Sequence, residues 1–266
     1  MRTKAHEFSG VRLAAAVLAA AALAPWALAA SINGLHESPR VFNDYPGSTL
    51  TITNSNSVNP GSVVIDDRNF GTGGFANRHD IELSSDAGAS AHTFSIDDPF
   101  TISAEVRLDV GSVSPRKEAG LRINSPITGD ALFLINSDAG EIVAFGGGAP
   151  FFIFGSNGGG NGYTPGSTIL MGMTYTPSGG GANGVPGTIE YFIDRGAGLE
   201  TSGPLNWANL EGGPVDFNVA MYGQFAPVDN NDFGTASFNN ISYIPEPGAA
   251  LLLLLPGMAL MRRRGN

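Results

Sequence analysis

The chain of 266 residues contains no cysteine. That absence excludes disulfides, iron–sulfur clusters, thiolate zinc sites and thiol nucleophiles. An exported form of such a chain is held together by its core and its sheet ladders alone. Histidine is scarce, with four in the whole sequence. His36, His79 and His92, the three in the body, stand apart from one another, and no His-Glu-x-x-His pattern offers a zinc site. No Gly-x-Ser-x-Gly elbow is present, so nucleophilic catalysis has few actors. Charge is low at 14%, and no amphipathic helix can be traced between the two termini. The letters Gly179-x-Gly181-x-x-Gly184 match a nucleotide fingerprint, but they lie between two strands with no helix to hold a pyrophosphate.

What the chain does have is alternation. Phe100, Ile102, Ala104, Val106, Leu108 and Val110 fall on one side of a strand, with Thr101, Ser103, Glu105, Arg107 and Asp109 on the other. This is the pattern of a half-buried antiparallel strand. The stretch from Asp130 to Gly147 reads as a hairpin turning at Asn136–Gly140. Further strands are expected at Thr49–Thr53, Ser62–Ile65, Ile81–Ser84, Leu121–Asn124, Phe151–Phe154, Ser167–Thr176, Thr188–Asp194, Val215–Tyr222 and Ala236–Tyr243. Glycine-rich turns separate them, consistent with 37 Gly and 17 Pro. Apolar residues at 42% suffice for a core. Many short strands without disulfides predict an all-β, antiparallel sandwich. Residues 31–60 are polar enough to suggest loose packing.

Positive charge collects at the ends, in Arg2, Lys4, Arg12, Arg262, Arg263 and Arg264, whereas only Glu7 and Glu246 of the acidic residues lie there. The body is therefore strongly acidic and repels phosphate backbones, which argues against nucleic-acid partners. Calcium and neutral polymers are the compatible ones.

Residues 1–29 read as a secretory signal helix: a basic start, an Ala/Leu run from Leu13 to Leu23, and Ala27-x-Ala29 for cleavage. The other end carries an apolar run, Gly248–Met261, closed by three arginines. At ~1.5 Å per residue this hydrophobic helix spans only about 21 Å, short of the ~30 Å hydrocarbon core. It is a marginal anchor suited to transient holding, with its basic end in the cytoplasm. Pro245-Glu246-Pro247, the apolar run and Arg262–Arg264 resemble, in that order, the PEP-CTERM sorting signal. The resemblance implies export through the Sec translocon and processing by an exosortase of the inner membrane. It also implies a destination at the cell surface or in the extracellular matrix of a Gram-negative bacterium. The domains expected are thus 1–29, signal; 30–244, sandwich; and 245–266, sorting signal.

Within the body, the succession FTISAEVRL, EAGLRIN, ALFLIN, STILMGMTYTP, GTIEYFID, FNVAMYGQF, ASFNNISYI resembles laminin-G-like and concanavalin-A-like jelly rolls. Such domains commonly bind carbohydrate. Laminarinase-type members hydrolyse it with carboxylates at alternate positions of one strand, ~5–5.5 Å apart. Here the nearest pair, Asp80-Ile81-Glu82, has the order reversed and lacks the third carboxylate. Glu105/Asp109 and Glu190/Asp194 lie ~13 Å apart along their strands.

For calcium, the loop Asp229-Asn230-Asn231-Asp232 is the first candidate and Asp66-Asp67-Asn69 the second, because hard cations take clustered carboxylate and amide oxygens. For glycan stacking the candidates are Trp207, Tyr163, Tyr222 and Phe233, which lie in or near loops beside amide and acid neighbours. The competing reading is that these aromatics plug the ends of the sandwich. The expectation is a non-enzymatic, lectin-like surface protein that binds or organises exopolysaccharide. A polysaccharide hydrolase of concanavalin-like fold and a purely structural coat protein are the alternatives.

Overall fold

The computed structural model describes residues 31–126, 129–155, 162–178, 187–207 and 216–245. The segments 1–30 and 246–266, on which the expected signal helix, Glu246, Pro247 and Arg262–Arg264 fall, lie outside the described residues. Alternation predicts the sandwich, and two antiparallel sheets form it. The strands are β1 (Gly34–Asn43), β2 (Thr49–Asn54), β3 (Gly61–Arg68), β4 (Asn77–Ser84), β5 (Phe100–Val110), β6 (Lys117–Ser125), β7 (Gly129–Asn136) and β8 (Ile142–Phe145). They continue as β9 (Phe152–Phe154), β10 (Thr168–Thr176), β11 (Gly187–Asp194), β12 (Leu199–Thr201), β13 (Leu205–Trp207), β14 (Asn218–Phe225) and β15 (Phe233–Pro245). One sheet has the order β1-β4-β14-β6-β7-β8-β9; the other runs β12-β11-β10-β5-β15-β3-β2, with β13 paired to β11.

The core lies between the sheets. Phe100, Ile102, Ala104, Val106 and Leu108 of β5 are all fully buried there, facing Ile81, Leu121, Ile123, Phe133, Val219 and Met221 from the first sheet. At one end the rings of Phe94, Phe100, Tyr175, Trp207 and Phe217 close on each other with centroids 5.2 to 5.9 Å apart. Residues 31–60 are not loosely packed: β1 and β2 pair along the edges of the two sheets. Their polar alternation reflects one wet face at each edge.

β15 is a central strand, flanked by β5 and β3. It extends through Pro245, which pairs with Phe100. The first residue of the Pro-Glu-Pro tripeptide therefore belongs to the sandwich, one residue beyond the boundary expected from sequence.

Candidate functional site

The face of the first sheet that points away from the core carries a second buried assembly. Alternation puts Arg78, Asp80 and Glu82 of β4 on that face, with Ala220, Tyr222 and Gln224 of β14, Glu118 and Arg122 of β6, and Asp130, Leu132 and Leu134 of β7. Register sets Tyr222 opposite Asp80 on one side and Gly120 on the other, with Leu134 beyond the glycine. Gly120 has no side chain to fill the row, and a Cβ there would sit 2.1 Å from the Phe133 carbonyl oxygen. The Tyr222 ring packs with Leu134 and Val143, bordered by Leu132, Phe145 and Ile153.

Above the ring lies a closed ring of ion pairs. Arg78 Nε donates to Asp80 Oδ1 at 3.1 Å and its Nη1 to Asp130 Oδ2 at 2.7 Å. Arg122 Nη1 reaches Asp80 Oδ2 at 2.7 Å, while its Nε and Nη2 both reach Asp130 Oδ1 at 2.8 Å. All four carboxylate oxygens are used and the quartet is neutral. The Arg78 guanidinium carbon stands 5.1 Å from the Tyr222 ring centroid, a cation–π position. Arg78, Asp80 and Arg122 are nearly inaccessible, whereas the Asp130 side chain is 33% exposed.

Two polar atoms in this assembly are buried without a hydrogen-bond partner among the described residues: Arg78 Nη2 and the Tyr222 hydroxyl. An orphaned buried donor costs ~1–3 kcal/mol, so a native structure that keeps two side by side needs a reason for them. Burial holds the Tyr222 phenol well above its usual pKa, and the charges of Glu118, Asp80 and Asp130 act in the same direction against Arg78. Burial likewise raises the Glu118 carboxyl, with Arg116, Arg78 and the neighbouring Tyr222 hydroxyl pulling only partly the other way. Asp130 behaves oppositely: burial acts upward, yet the charges and hydrogen bonds of Arg78 and Arg122 bring it below the ordinary carboxylate value. Groups separated in this way can hold a proton and an anion at the same pH.

The residues singled out from sequence scatter. Tyr222 is at the centre of the assembly just described. Tyr163 is buried, its hydroxyl accepting the Leu108 N–H at 2.8 Å and donating to the Ser167 carbonyl at 3.0 Å. Trp207 packs edge-on to Tyr175 at 5.2 Å and plugs the sandwich end. Phe233 is half-buried beneath the Arg68 guanidinium at 4.6 Å. These four therefore form no common platform.

In the loop Asp229–Asp232, the Asp232 carboxylate is bonded to Lys117 Nζ at 2.8 Å, to Ser112 and to the Val228 N–H. Asp229 accepts from the Asn231 N–H and Asn230 from the Gly71 N–H. Asp66 engages Arg68 and Thr235; Asp67 engages His79 and Asn77. Among the described residues no group of three or more His, Asp or Glu side chains could hold a metal ion. Of the carboxylate pair on β4, Asp80 belongs to the quartet and Glu82 accepts from Ser38 at 2.7 Å on the neighbouring strand.

His79 points into the core. Its Nδ1 accepts the Arg40 N–H at 3.0 Å, which leaves Nε2 to donate to Asp67 at 2.9 Å. Both its nitrogens are occupied away from the outer face. Arg78, Glu118, Arg122 and Asp130 escaped sequence reasoning because charged residues on a strand normally mark a wet face. The signal available was sign alternation, Arg78 with Asp80 and Arg122 with Asp130, on strands destined to be neighbours.

No family model and no curated protein matches the sequence. Solved structures do. An alginate lyase of polysaccharide lyase family 7 superposes with a TM-score of 0.51 at 11% identity, over 80% of this chain and 94% of that one. The alginate lyase from Corynebacterium sp. gives 0.51 at 12% identity, with the same coverage. The body is thus a concanavalin-like jelly-roll sandwich. These matches correct the expectation of a non-enzymatic module, since both of these solved chains are alginate lyases. Both are lyases by name, and elimination does not need the carboxylate motif whose absence argued against catalysis.

Proposed function

We propose that the protein is a polysaccharide-degrading enzyme that cleaves an acidic glycan by β-elimination on the outer face of the first sheet. The observation that carries this reading is that Arg78 Nη2 and the Tyr222 hydroxyl are both buried donors without a hydrogen-bond partner among the described residues, the Arg78 guanidinium lying over the Tyr222 ring. Elimination from a uronate needs a donor to neutralise the sugar carboxylate and so acidify the neighbouring C5–H. It also needs a base for that proton and an acid for the departing oxygen. Arg78 Nη2 supplies the first. Glu118, a better base for its raised pKa, takes the C5 proton. The C5–H electron pair forms the C4–C5 double bond, the C4–O4 bond breaks, and Tyr222 protonates O4. Transfer of the proton from Glu118 to the tyrosinate then resets the site. The two lyase neighbours support this choice over hydrolysis.

The test incubates the purified protein with alginate, polygalacturonate and a neutral β-glucan. Ultraviolet absorbance of the unsaturated product and reducing ends are measured together. Both should rise with a uronate polymer, and Tyr222→Phe should abolish both at unchanged thermal stability. Reducing ends without absorbance would replace elimination by hydrolysis; neither signal with any polymer would refute the enzyme reading.

For location we infer export by the Sec translocon and exosortase processing at the inner membrane, followed by residence at the cell surface. This reading is supported by the order of Pro245-Glu246-Pro247, apolar run and Arg262–Arg264. Exopolysaccharide is then both the surrounding medium and the nearest substrate.

A further inference from the structure

We propose that Asp130 is a built-in stand-in for the substrate's carboxylate, and that an acidic sugar enters by exchanging with it on Arg78 and Arg122. This deepens the elimination reading and rests on it for the identity of the substrate. Tyr222 is fully buried although it lies on the outer face of the sheet. Part of its cover is the Arg78 guanidinium, moored on one side by Asp80 and on the other by Asp130. The quartet leaves neither of its arginines uncompensated, so a polyanion approaching this face meets a neutral cluster. Three of the four members cannot move without unburying charge. The fourth can: Asp130 is the second residue of β7, follows Gly129 at φ +75°, and has a third of its side chain exposed.

Replacing the Asp130 carboxylate by that of a sugar conserves charge and the bridge between the two guanidiniums, so the exchange costs little. It also releases the Arg78 mooring that lies over Tyr222. A neutral sugar has no group to make the exchange. The arrangement therefore admits acidic glycans and excludes neutral ones, by competition rather than by an open positive patch.

The experiment compares wild type with Asp130→Asn, and with Asp130→Ser in case the first variant does not fold, thermal melting deciding that point. Calorimetry measures binding of alginate and polygalacturonate oligosaccharides and of a neutral β-glucan oligosaccharide; KM is measured on the uronate polymers. Loss of the internal competitor should lower Kd and KM for uronates roughly two- to fivefold, the range of a partly exposed ion pair, and leave the neutral oligosaccharide unbound. Unchanged or weaker uronate binding in a folded variant would overturn the proposal. So would an equal gain for the neutral sugar. If neither protein forms unsaturated product yet the variants bind uronates more tightly, the elimination reading falls and the role of Asp130 stands. If wild type is an active lyase and the variants keep its KM, the reverse holds.

Discussion

Lys117 and Asp232 form an ion pair at 2.8 Å with side chains 0% and 1% exposed, and removing the acid tests how the sandwich end is held. The Asp232 carboxylate also accepts from the Ser112 N–H and hydroxyl, the Val228 N–H and the Phe233 N–H. It thereby ties the turn after β5, the start of β6 and the turn before β15. Asp232→Ala strands a buried ammonium whose remaining partners are the Ser112 and Pro115 carbonyls and the Ser112 hydroxyl. Breaking a buried pair from one side costs ~3–5 kcal/mol, a large part of the ~5–15 kcal/mol that stabilises a domain. At ~2–4 °C per kcal/mol for a domain of this size, the unfolding midpoint should drop by about 6–20 °C.

Lys117→Met should cost less, because Asp232 keeps its neutral donors. Burial opposes it, yet Lys117 and the hydrogen bonds hold the Asp232 pKa below its usual 3.8. A depressed folded-state pKa contributes stability that is fully present above the unfolded value and is lost as pH falls through the folded one. The gap between wild type and Asp232→Ala should therefore be constant near neutrality and close only below about pH 4. Urea unfolding followed by tryptophan fluorescence across pH reads both effects. A loss under ~1 kcal/mol at neutral pH, or a gap that closes already at about pH 6, would refute the reasoning.

Two further outcomes are expected. Gly120→Ala forces a Cβ against the Phe133 carbonyl oxygen and should cost ~1–3 kcal/mol or more by urea unfolding, with activity lost at temperatures where the variant remains folded; a neutral substitution would mean β6 and β7 can separate there. If the sorting reading holds, the intact mass of the mature protein from its native host should lack both residues 1–29 and Arg262–Arg264, and a mass retaining the arginines would dismiss it.

Strands with a clean division of faces are legible in the sequence itself. β5, β10 and β11 obey period-2 alternation because one side meets the core and the other meets water or polar neighbours. β4 shows where that logic ends. Its segment from Asn77 to Ser84 is buried on both sides, with Asn77 and His79 satisfied by Asp67 inward and Arg78 and Asp80 satisfied by the ion-pair ring outward. Polar residues in that number read as loop, so the strand expected from sequence begins only at Ile81. The candidate site is hidden for the same reason. Its members come from four strands that become neighbours only after the sheet order β4-β14-β6-β7 is set. Among the aromatics, the end-plugging alternative describes Trp207, whereas Tyr222 needs the register of β14 to reveal its place.

If the chain is exported and trimmed as proposed, the last rung of β15 bears on where trimming stops. From Ser242 to Pro245 the strand is paired with β5 alone, its ladder to β3 having ended at Ile241. Cleavage upstream of Ile241 would first have to unzip hydrogen bonds on both sides of the strand, where opening demands near-global unfolding. Under that reading the fold would act as a ruler for maturation, halting trimming from the carboxyl end where the two-sided ladder begins. Anything joined to the new terminus would then sit within a residue or two of rigid sheet, about 3 to 7 Å away, and would hold the body at a fixed attitude rather than on a loose tether.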